Sequence, residues 1–455
     1  MSLPAHYASL PPAIVLGGEH IGLSVARSLA ARDIAVYALG HRDDPLRHSR
    51  RRTSFVEVGG GAELAERSLE WLRTGPGAGV LMPCADEALE LIARHRDELA
   101  DLGYIPIEAN DEVLLAMLDK ERTNELARSV GVECPRTVAV DTVEEALAAA
   151  SEIGYPCALK PRRSHEFAHV FGAANKAFAA AGDADLEQAM RRTLELGLSM
   201  QLTEIIPGPD DSYCSLFTYL DEGRAPLLQV TKRKLRQFPN TFGMGSYHVT
   251  AWVPDAAEEG LRFLQGIGAR GLANVEFKRD SRDGRLKLIE CNHRFVATNE
   301  HLRACGCDLA WFTYCRLTGT PVQPPRFYHR GVGYWYPLRD FRAFRGYRRS
   351  GALTWRAWLK SLRRPLVFPL ASRDDPMPSI VAAWRHARRL GRRLSPWPAA
   401  RRAPASAVAG RRAPAEPASS ASAAGVMGAA TQSPGHNGGG ASVARGDQRS
   451  DSFPV

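Results

Sequence analysis

The stretch from Asn274 to Phe295, NVEFKRDSRDGRLKLIECNHRF, constrains this chain more than any other. Two strand-like runs, NVEFK and RLKLIECN, flank Arg282-Asp283-Gly284. A three-residue loop with Gly last is a standard hairpin connection, because Gly tolerates the left-handed conformation needed there. Closed on that loop, the hairpin sets Glu276 opposite Glu290, and strand alternation puts Asn292 on the same face. Val275, Phe277, Ile289 and Cys291 fall on the other face. Two neighbouring carboxylates repel unless a cation or a shared proton relieves them. Two carboxylates and an amide suit a hard cation, and Mg²⁺ is typically held by one or two carboxylates plus substrate phosphates. The competing reading is a solvated hairpin whose glutamates pair with Lys278 and Lys287. The stretch alone does not separate the two.

Length and composition set the frame. At 455 residues the chain is too long for one core and suggests two to three domains. An apolar content of 44% and a charged content of 24% are those of a soluble globular protein. No apolar run reaches the roughly 18 residues of a membrane helix, and MSLPAHYASLPP lacks the basic start and apolar core of a signal peptide. Eight scattered cysteines without a CxxC pair argue against a zinc ribbon or a disulfide framework and fit a cytoplasmic protein. The net charge of +9 is concentrated: residues 326–397 carry 17 Arg or Lys against three acids. Residues 1–325 carry 36 Arg or Lys against 44 acids, so the charge does not point to nucleic acid as the partner of the main body.

Along the chain, AIVLGG, HIGLSVARSLAARD and IAVYALG read strand, helix, strand, the opening of an α/β domain with a parallel sheet. Gly17-Gly18-x-x-x-Gly22 departs from the GxGxxG dinucleotide fingerprint, and a structural glycine turn accounts for it better. A first domain is expected to end near Asn110. Residues 111–153 read as helical with one break, at ECPRTVAV, and TVEEALAAASEIG opens on a capping box. YPCALKPRR reads as a strand carrying Lys160. The segment LSMQLTEIIPGPDD reads as a linker with a Pro-Gly turn, followed by a hairpin that turns at Asp221-Glu222-Gly223. Beyond Pro325, Arg interleaves with Trp, Tyr and Phe. Such mixing suits a membrane surface, nucleic acid or an acidic partner, and suits better a pair of helices folded back on the main body. From about Pro398 the composition is that of a disordered tail.

Several features stand in a fixed order: Asp119-Lys120, Lys160 after Tyr-Pro, Glu204-Ile205-Ile206-Pro-Gly with Asp210 and Asp211, the basic strand TKRKLRQFP before Gly243-x-Gly245, and last Glu276 with Glu290-x-Asn292-x-Arg294. Together they resemble the ATP-grasp superfamily over roughly residues 13–325. The resemblance is to its carboxylate–amine ligase group, which includes D-aspartate ligase-like proteins; KLRQFPNTFGMGSY is the most group-specific run. It implies a Rossmann-like α/β pre-ATP-grasp domain at 1–110. An α+β ATP-grasp domain of two subdomains would follow at 111–325, with a lid subdomain at about 135–205. A basic, aromatic-rich extension at 326–397 and a disordered tail at 398–455 complete the expected chain.

The resemblance also implies roles. Lys120 and Lys160 would contact ATP phosphates, Glu204, Ile205 and Ile206 would line the adenine pocket, and Asp210 or Asp211 would hold the ribose. Glu276, Glu290 and Asn292 would carry Mg²⁺, with Mn²⁺ a substitute. Arg294 would face the transferred phosphoryl group. Lys234, Arg236 and the Gly243–Ser246 turn would contribute to a substrate pocket, whose basic character suits an acidic substrate such as aspartate. The implied reaction activates a small carboxylate as an acyl phosphate and couples it to an amine or amino acid, releasing ADP and phosphate. A bicarbonate-using carboxylase and a non-catalytic nucleotide-binding module of an envelope assembly are the rivals. Two departures stand out. The lid RRSHEFAHVFGAANKA is bulkier than the family's small-residue loop, with His165 and His169 four apart, and His293 stands where the family's motif most often has Pro.

Overall fold

Five short strands alternate with helices in the first hundred residues. β1 (Ala13–Leu16), β2 (Val36–Gly40), β3 (Ser54–Glu57), β4 (Gly79–Pro83) and β5 (Tyr104–Ile105) form a parallel sheet in the order β3-β2-β1-β4-β5. β1 and β4 are buried at every position, which is why their sequences are continuously apolar: helices cover both faces of such a sheet. Strand order reverses between β1 and β4, so the loops after them open side by side. That closeness accounts for the glycines after β1. Gly18 has a φ of +89°, and a Cβ there would sit 2.5 Å from the Cys84 carbonyl oxygen.

The computed structural model describes residues 10–394 except 163–166, 168, 169, 172–176 and 241. His165, His169 and the tail from 398 lie outside the described residues.

The helical run from 111 breaks once more than its periodicity suggests. Asn110 caps helix Asp111–Leu118, and Asp119 caps a new helix, Lys120–Ser129. The Asp119 carboxylate accepts the amides of Glu121 at 2.8 Å and Arg122 at 3.3 Å. An N-cap leaves apolar spacing almost unchanged, so the pattern ran through it. Lys120 therefore stands at the first position of a helix.

A four-stranded antiparallel sheet follows: β6 (Thr137–Val140), β7 (Cys157–Pro161), β8 (Phe178–Ala180) and β9 (Met200–Glu204), in the order β6-β9-β7-β8. The MQLTE run, expected as part of a linker, is the strand between β6 and β7. Gln201 and Thr203 break its apolar pattern yet are buried at 2% and 3% exposure.

The largest sheet has seven strands in the order β14-β13-β10-β11-β12-β15-β16. They are β10 (Tyr213–Leu220), β11 (Pro226–Phe238), β12 (Met244–Thr250), β13 (Gly271–Arg279), β14 (Leu286–Asn292), β15 (Gly333–Trp335) and β16 (Leu366–Val367). One face packs Cys214, Val275, Phe277, Leu288 and Cys291 against Phe263 and Leu264 of helix Pro254–Gly266. Elsewhere Phe217 and Tyr219 share a core with Leu23 and Leu29 of helix His20–Ala30 and with Phe312 and Tyr314. The parallel sheet's helices and the large sheet are thus joined by one apolar layer.

The segment beyond Pro325 is part of this architecture, supplying β15 and the edge strand β16. Its anchor is Asp340, fully buried on helix Pro337–Arg349. The carboxylate takes a bidentate pair from Arg236 (2.7 and 2.9 Å), the Ser246 hydroxyl (3.0 Å) and the indole N–H groups of Trp335 (3.0 Å) and Trp358 (2.8 Å). Asp375 makes a second knot, accepting from Arg27 Nε at 3.0 Å and the Ser49 hydroxyl at 2.7 Å.

Removing one partner of a buried, fully hydrogen-bonded ion pair leaves an uncompensated charge. Asp340→Ala is therefore expected to cost about 3–5 kcal/mol in a urea unfolding titration. A loss within the scatter of ordinary surface substitutions would show that the segment is not held by this residue.

Candidate functional site

The site follows from the register of the large sheet. Glu290 on β14 pairs with Glu276 on β13, Glu276 with Ser215 on β10, and Ser215 with Lys232 on β11. One step along, Lys278, Tyr213, Lys234 and His248 form a parallel row on the same face. Alternation puts Asn274, the partner of Asn292, there as well. The opposite face packs Cys214, Val275, Phe277 and Leu288 against helix Pro254–Gly266. A single sheet face thus carries two carboxylates on its edge-side strands and two lysines two strands away.

The expected Glu276–Glu290 pairing is present, reached by a different path. The loop has four residues, Ser281 to Gly284, closed by Asp280 N–H on the Arg285 carbonyl at 2.9 Å. That moves the register by one, and a bulge at Ile289 moves it back: Phe277 faces Leu288, while Glu276 still faces Glu290. Ile289, expected in the core with Phe277, instead lines the cleft beside Glu290. The alternative pairing with Lys278 and Lys287 is not made. Lys278 Nζ donates to the Ile206 carbonyl at 2.7 Å, and Lys287 is bound to Glu133.

Lys234 is the partner of Glu276. Its Nζ lies 3.0 Å from Glu276 Oε1 and 3.7 Å from the Tyr213 ring centroid, an ion pair stacked on a cation–π contact. Lys232 Nζ donates to the Ser215 hydroxyl at 3.2 Å and sits 3.5 Å from His248 Nδ1. Burial pushes the Lys232 ammonium down to about 8, against the pull of Glu276. His248 is held well below its usual range by burial and then by Lys232 and Lys234, so its ring is neutral at pH 7. Gly245 makes room for that ring: a Cβ would meet His248 Nε2 at 2.1 Å.

Lys120 and Lys160 arrive from the other side of a cleft. Lys120, Lys160, Gln201 and Thr203 line it together with Glu290. An adjoining cavity of about 360 Å³ is lined by Lys120, Glu290, Asn292 and Asp86. A lysine at the start of a helix is poorly placed for the helix dipole, and here it lines the cleft opposite Glu290. Arg294 Nε lies 2.5 Å from Oδ1 of Asp86, the first residue of the helix Asp86–Arg94 after β4, which lines that cavity. Burial opposes the charge of Arg294, but Asp86 and Glu290 outweigh it and raise its pKa.

Other expected residues lie apart. Arg236 is turned away from Lys234 by a bulge in β11 and is consumed by Asp340 and the Ser361 hydroxyl. Glu204 is held by Arg282 at 2.5 Å and by the Arg136 amide at 3.1 Å. Ile206 is buried and Ile205 half-buried. Asp210 accepts from Gln237 at 2.8 Å and Tyr347 at 2.5 Å, and the Asp211 carbonyl accepts from Arg233 at 3.0 Å. His293 points into the core, 2% exposed, its pKa pushed down to about 4 by burial. Sequence reasoning missed Lys232, though alternation in TKRK places it beside Lys234. It also missed Tyr213, His248 and Asp86, which only the sheet register and the helix after β4 bring in.

Among the described residues, no three His, Cys, Asp or Glu side chains converge to hold a metal alone. Glu276, Glu290 and Asn292 fit Mg²⁺ as a partial donor set completed by phosphate oxygens.

Residues 119–181, which include both Lys120 and Lys160, match the family described as carbamoyl-phosphate synthase L chain, ATP binding domain. The chain is 28% identical over 243 residues to the D-aspartate ligase of Enterococcus faecium (strain Aus0004), a match covering 51% of this chain and 57% of that protein. It therefore spans little more than half the length of that relative. It is 26% identical over 224 residues to the D-alanine–D-alanine ligase of Stutzerimonas stutzeri (strain A1501), covering 46% and 68%. The biotin carboxylase domain of Hydrogenobacter thermophilus 2-oxoglutarate carboxylase, solved with MgADP, ADP and bicarbonate, has the same fold. It superimposes with a TM-score of 0.54 at 19% identity, over 71% of this chain and 72% of that one.

The Lys232 shift has a testable sign. Its folded pKa, about 8, lies below the ordinary 10.5, so between these values the unfolded chain binds more protons and folding is favoured as pH rises. From pH 7 to 10.5 the wild type should gain on the order of 3 kcal/mol over Lys232→Met in urea titrations. A pH-independent difference would contradict the buried charge.

Proposed function

We propose that this chain, an ATP-grasp protein, is an ADP-forming ligase that couples a small carboxylic acid to an amine or amino acid. The observation that carries the reading is the meeting of Lys120 and Lys160 with Glu290 in one cleft, beside the Glu276–Lys234 pair. Two lysines from one side and two carboxylates from the other are what a metal-bound polyphosphate needs. The named relatives are ligases, which supports the same class of reaction.

In the first step a substrate carboxylate oxygen would attack the γ-phosphorus as the bridging P–O bond to ADP breaks. In the second, the amine lone pair would attack the acyl carbon, phosphate would leave, and the amine would lose a proton. Lys120 and Lys160 would hold the phosphates. Mg²⁺ at Glu276, Glu290 and Asn292 would supply neutralisation of phosphate oxygens. Lys234 pairs with Glu276 and orients it before ATP arrives. Arg294 would face the acyl phosphate, its fork fixed by Asp86. Arg236 acts as a positioning residue, tying β11 to the segment beyond Pro325. Glu204, Ile205 and Ile206 would line the adenine, with Asp210 or Asp211 at the ribose. Lys232, Lys234 and the Gly243–Ser246 turn extend the basic surface where an acidic substrate would lie. The acyl phosphate must be kept from water, and the described sheets form two walls of that cleft.

ADP and phosphate should appear only when a matching acid and amine are both supplied, and Glu290→Ala should lower kcat by about 10²-fold or more. AMP and pyrophosphate as products, or full activity in Glu290→Ala, would overturn the reading. ADP release that needs bicarbonate and no amine would assign the chain to carboxylation instead.

A further inference from the structure

We propose that the helical hairpin beyond β15 is a docking face for an anionic lipid bilayer surface. Helix Pro337–Arg349 and helix Trp355–Ser361 stack Phe344 and Trp358 inward, with ring centroids 4.9 Å apart. That inner pair satisfies the packing the aromatic-rich sequence called for. The outer members are left open: Leu338 is 58% exposed, Phe341 41%, Trp355 42% and Leu359 53%. They are neighbours. Phe341 and Trp355 rings lie 6.3 Å apart, while Leu338 with Phe341, and Trp355 with Leu359, are one helical turn apart.

Charge selects the occupant. Residues 326–394 hold 17 Arg or Lys and three acids. Asp340 and Asp375 are buried at 0% and 1% exposure, pairing Arg236 and Arg27 of the main body. Only Asp374 faces solvent, so the segment presents an almost purely cationic surface. Arg342, Arg345, Arg348, Arg349, Arg356 and Lys360 are all exposed on the two helices, and Arg348 lies 5.4 Å over the Trp355 ring. Helix Met377–Leu394 repeats the pattern: Met377, Ile380 and Trp384 are 49%, 54% and 55% exposed at helical spacing, with Arg388 4.5 Å over Trp384.

Aromatic and basic residues alone would suit a single-stranded nucleic acid, whose bases stack on rings. Here leucine, isoleucine and methionine are as exposed as the rings, and they offer no stacking face. Aliphatic and indole side chains beside arginines are the composition of a helix lying in a headgroup layer. Arginine charge adds attraction to anionic lipid, falling off within a Debye length. No helix among the described residues is long and apolar enough to cross a membrane, so the contact is peripheral. The inference does not depend on the nucleotide site.

The test is flotation of the full chain with vesicles of phosphatidylglycerol and phosphatidylcholine, against phosphatidylcholine alone, at about 0.1 M salt. Binding is expected to the anionic vesicles only. Leu338→Ser with Leu359→Ser, which leaves charge unchanged, should weaken it by about an order of magnitude. Arg345→Gln with Arg348→Gln should weaken it by about an order of magnitude or more and flatten its salt dependence. Circular dichroism melts of both variants separate loss of the face from loss of the fold. The proposal fails if anionic vesicles are not bound, or if the leucine variant floats like the wild type. It also fails if the leucines instead govern self-association without vesicles, or if single-stranded oligonucleotides bind and displace the vesicles.

Discussion

The ion pair between Lys234 and Glu276 is the contact on which the candidate site rests. Glu276 and Glu290 are set side by side by strand pairing, an arrangement that costs energy without a counter-charge. Lys234, 3.0 Å away and braced on the Tyr213 ring, supplies that charge to one carboxylate. Glu290 stays open to the cleft and faces the lysines of the other side. The sheet is therefore preorganised for one more cation and an anion: its carboxylates are aligned and one is already oriented. Such preorganisation is the main way a protein stabilises charge during phosphoryl transfer.

The segment beyond Pro325 supports this arrangement from behind. Arg236 sits two residues from Lys234 on the same strand, and its bidentate pair with Asp340 fixes where β11 runs. Asp340 also holds Ser246, next to the glycine that gives His248 its space. The site thus depends on a residue 104 positions after Arg236, beyond the stretch that carries the superfamily resemblance. The same segment uses its acids internally and turns its arginines outward, so anchoring and surface charge are one design.

Much of this was legible in the sequence, and the misses have physical causes. A three-residue loop predicts the Glu276–Glu290 pair; the loop has four, and the Ile289 bulge restores the register. Bulges leave little mark on alternation, which by itself puts Ile289 on the wrong face. The same holds for Arg236, which simple alternation puts beside Lys234. Apolar spacing puts Lys120 within a continuous helix, because Asp119 caps a new one without disturbing that spacing. β9 read as a linker because Gln201 and Thr203 interrupt it, and their burial depends on the cleft between sheets. Tyr213, His248 and Asp86 enter through pairing across distant strands and loops, which local patterns do not encode. The order of lysines, carboxylates and asparagine, by contrast, was fully visible.

The most direct test of the account is calorimetric titration of ATP into the protein with Mg²⁺ and with chelator, for wild type and for Glu276→Gln with Glu290→Gln. If this sheet face carries the cation, Mg²⁺ should tighten ATP binding by about ten-fold or more in the wild type. The double variant should lose that difference while still binding ATP through Lys120 and Lys160. An equal Mg²⁺ effect in both proteins would place the cation elsewhere and contradict the central claim.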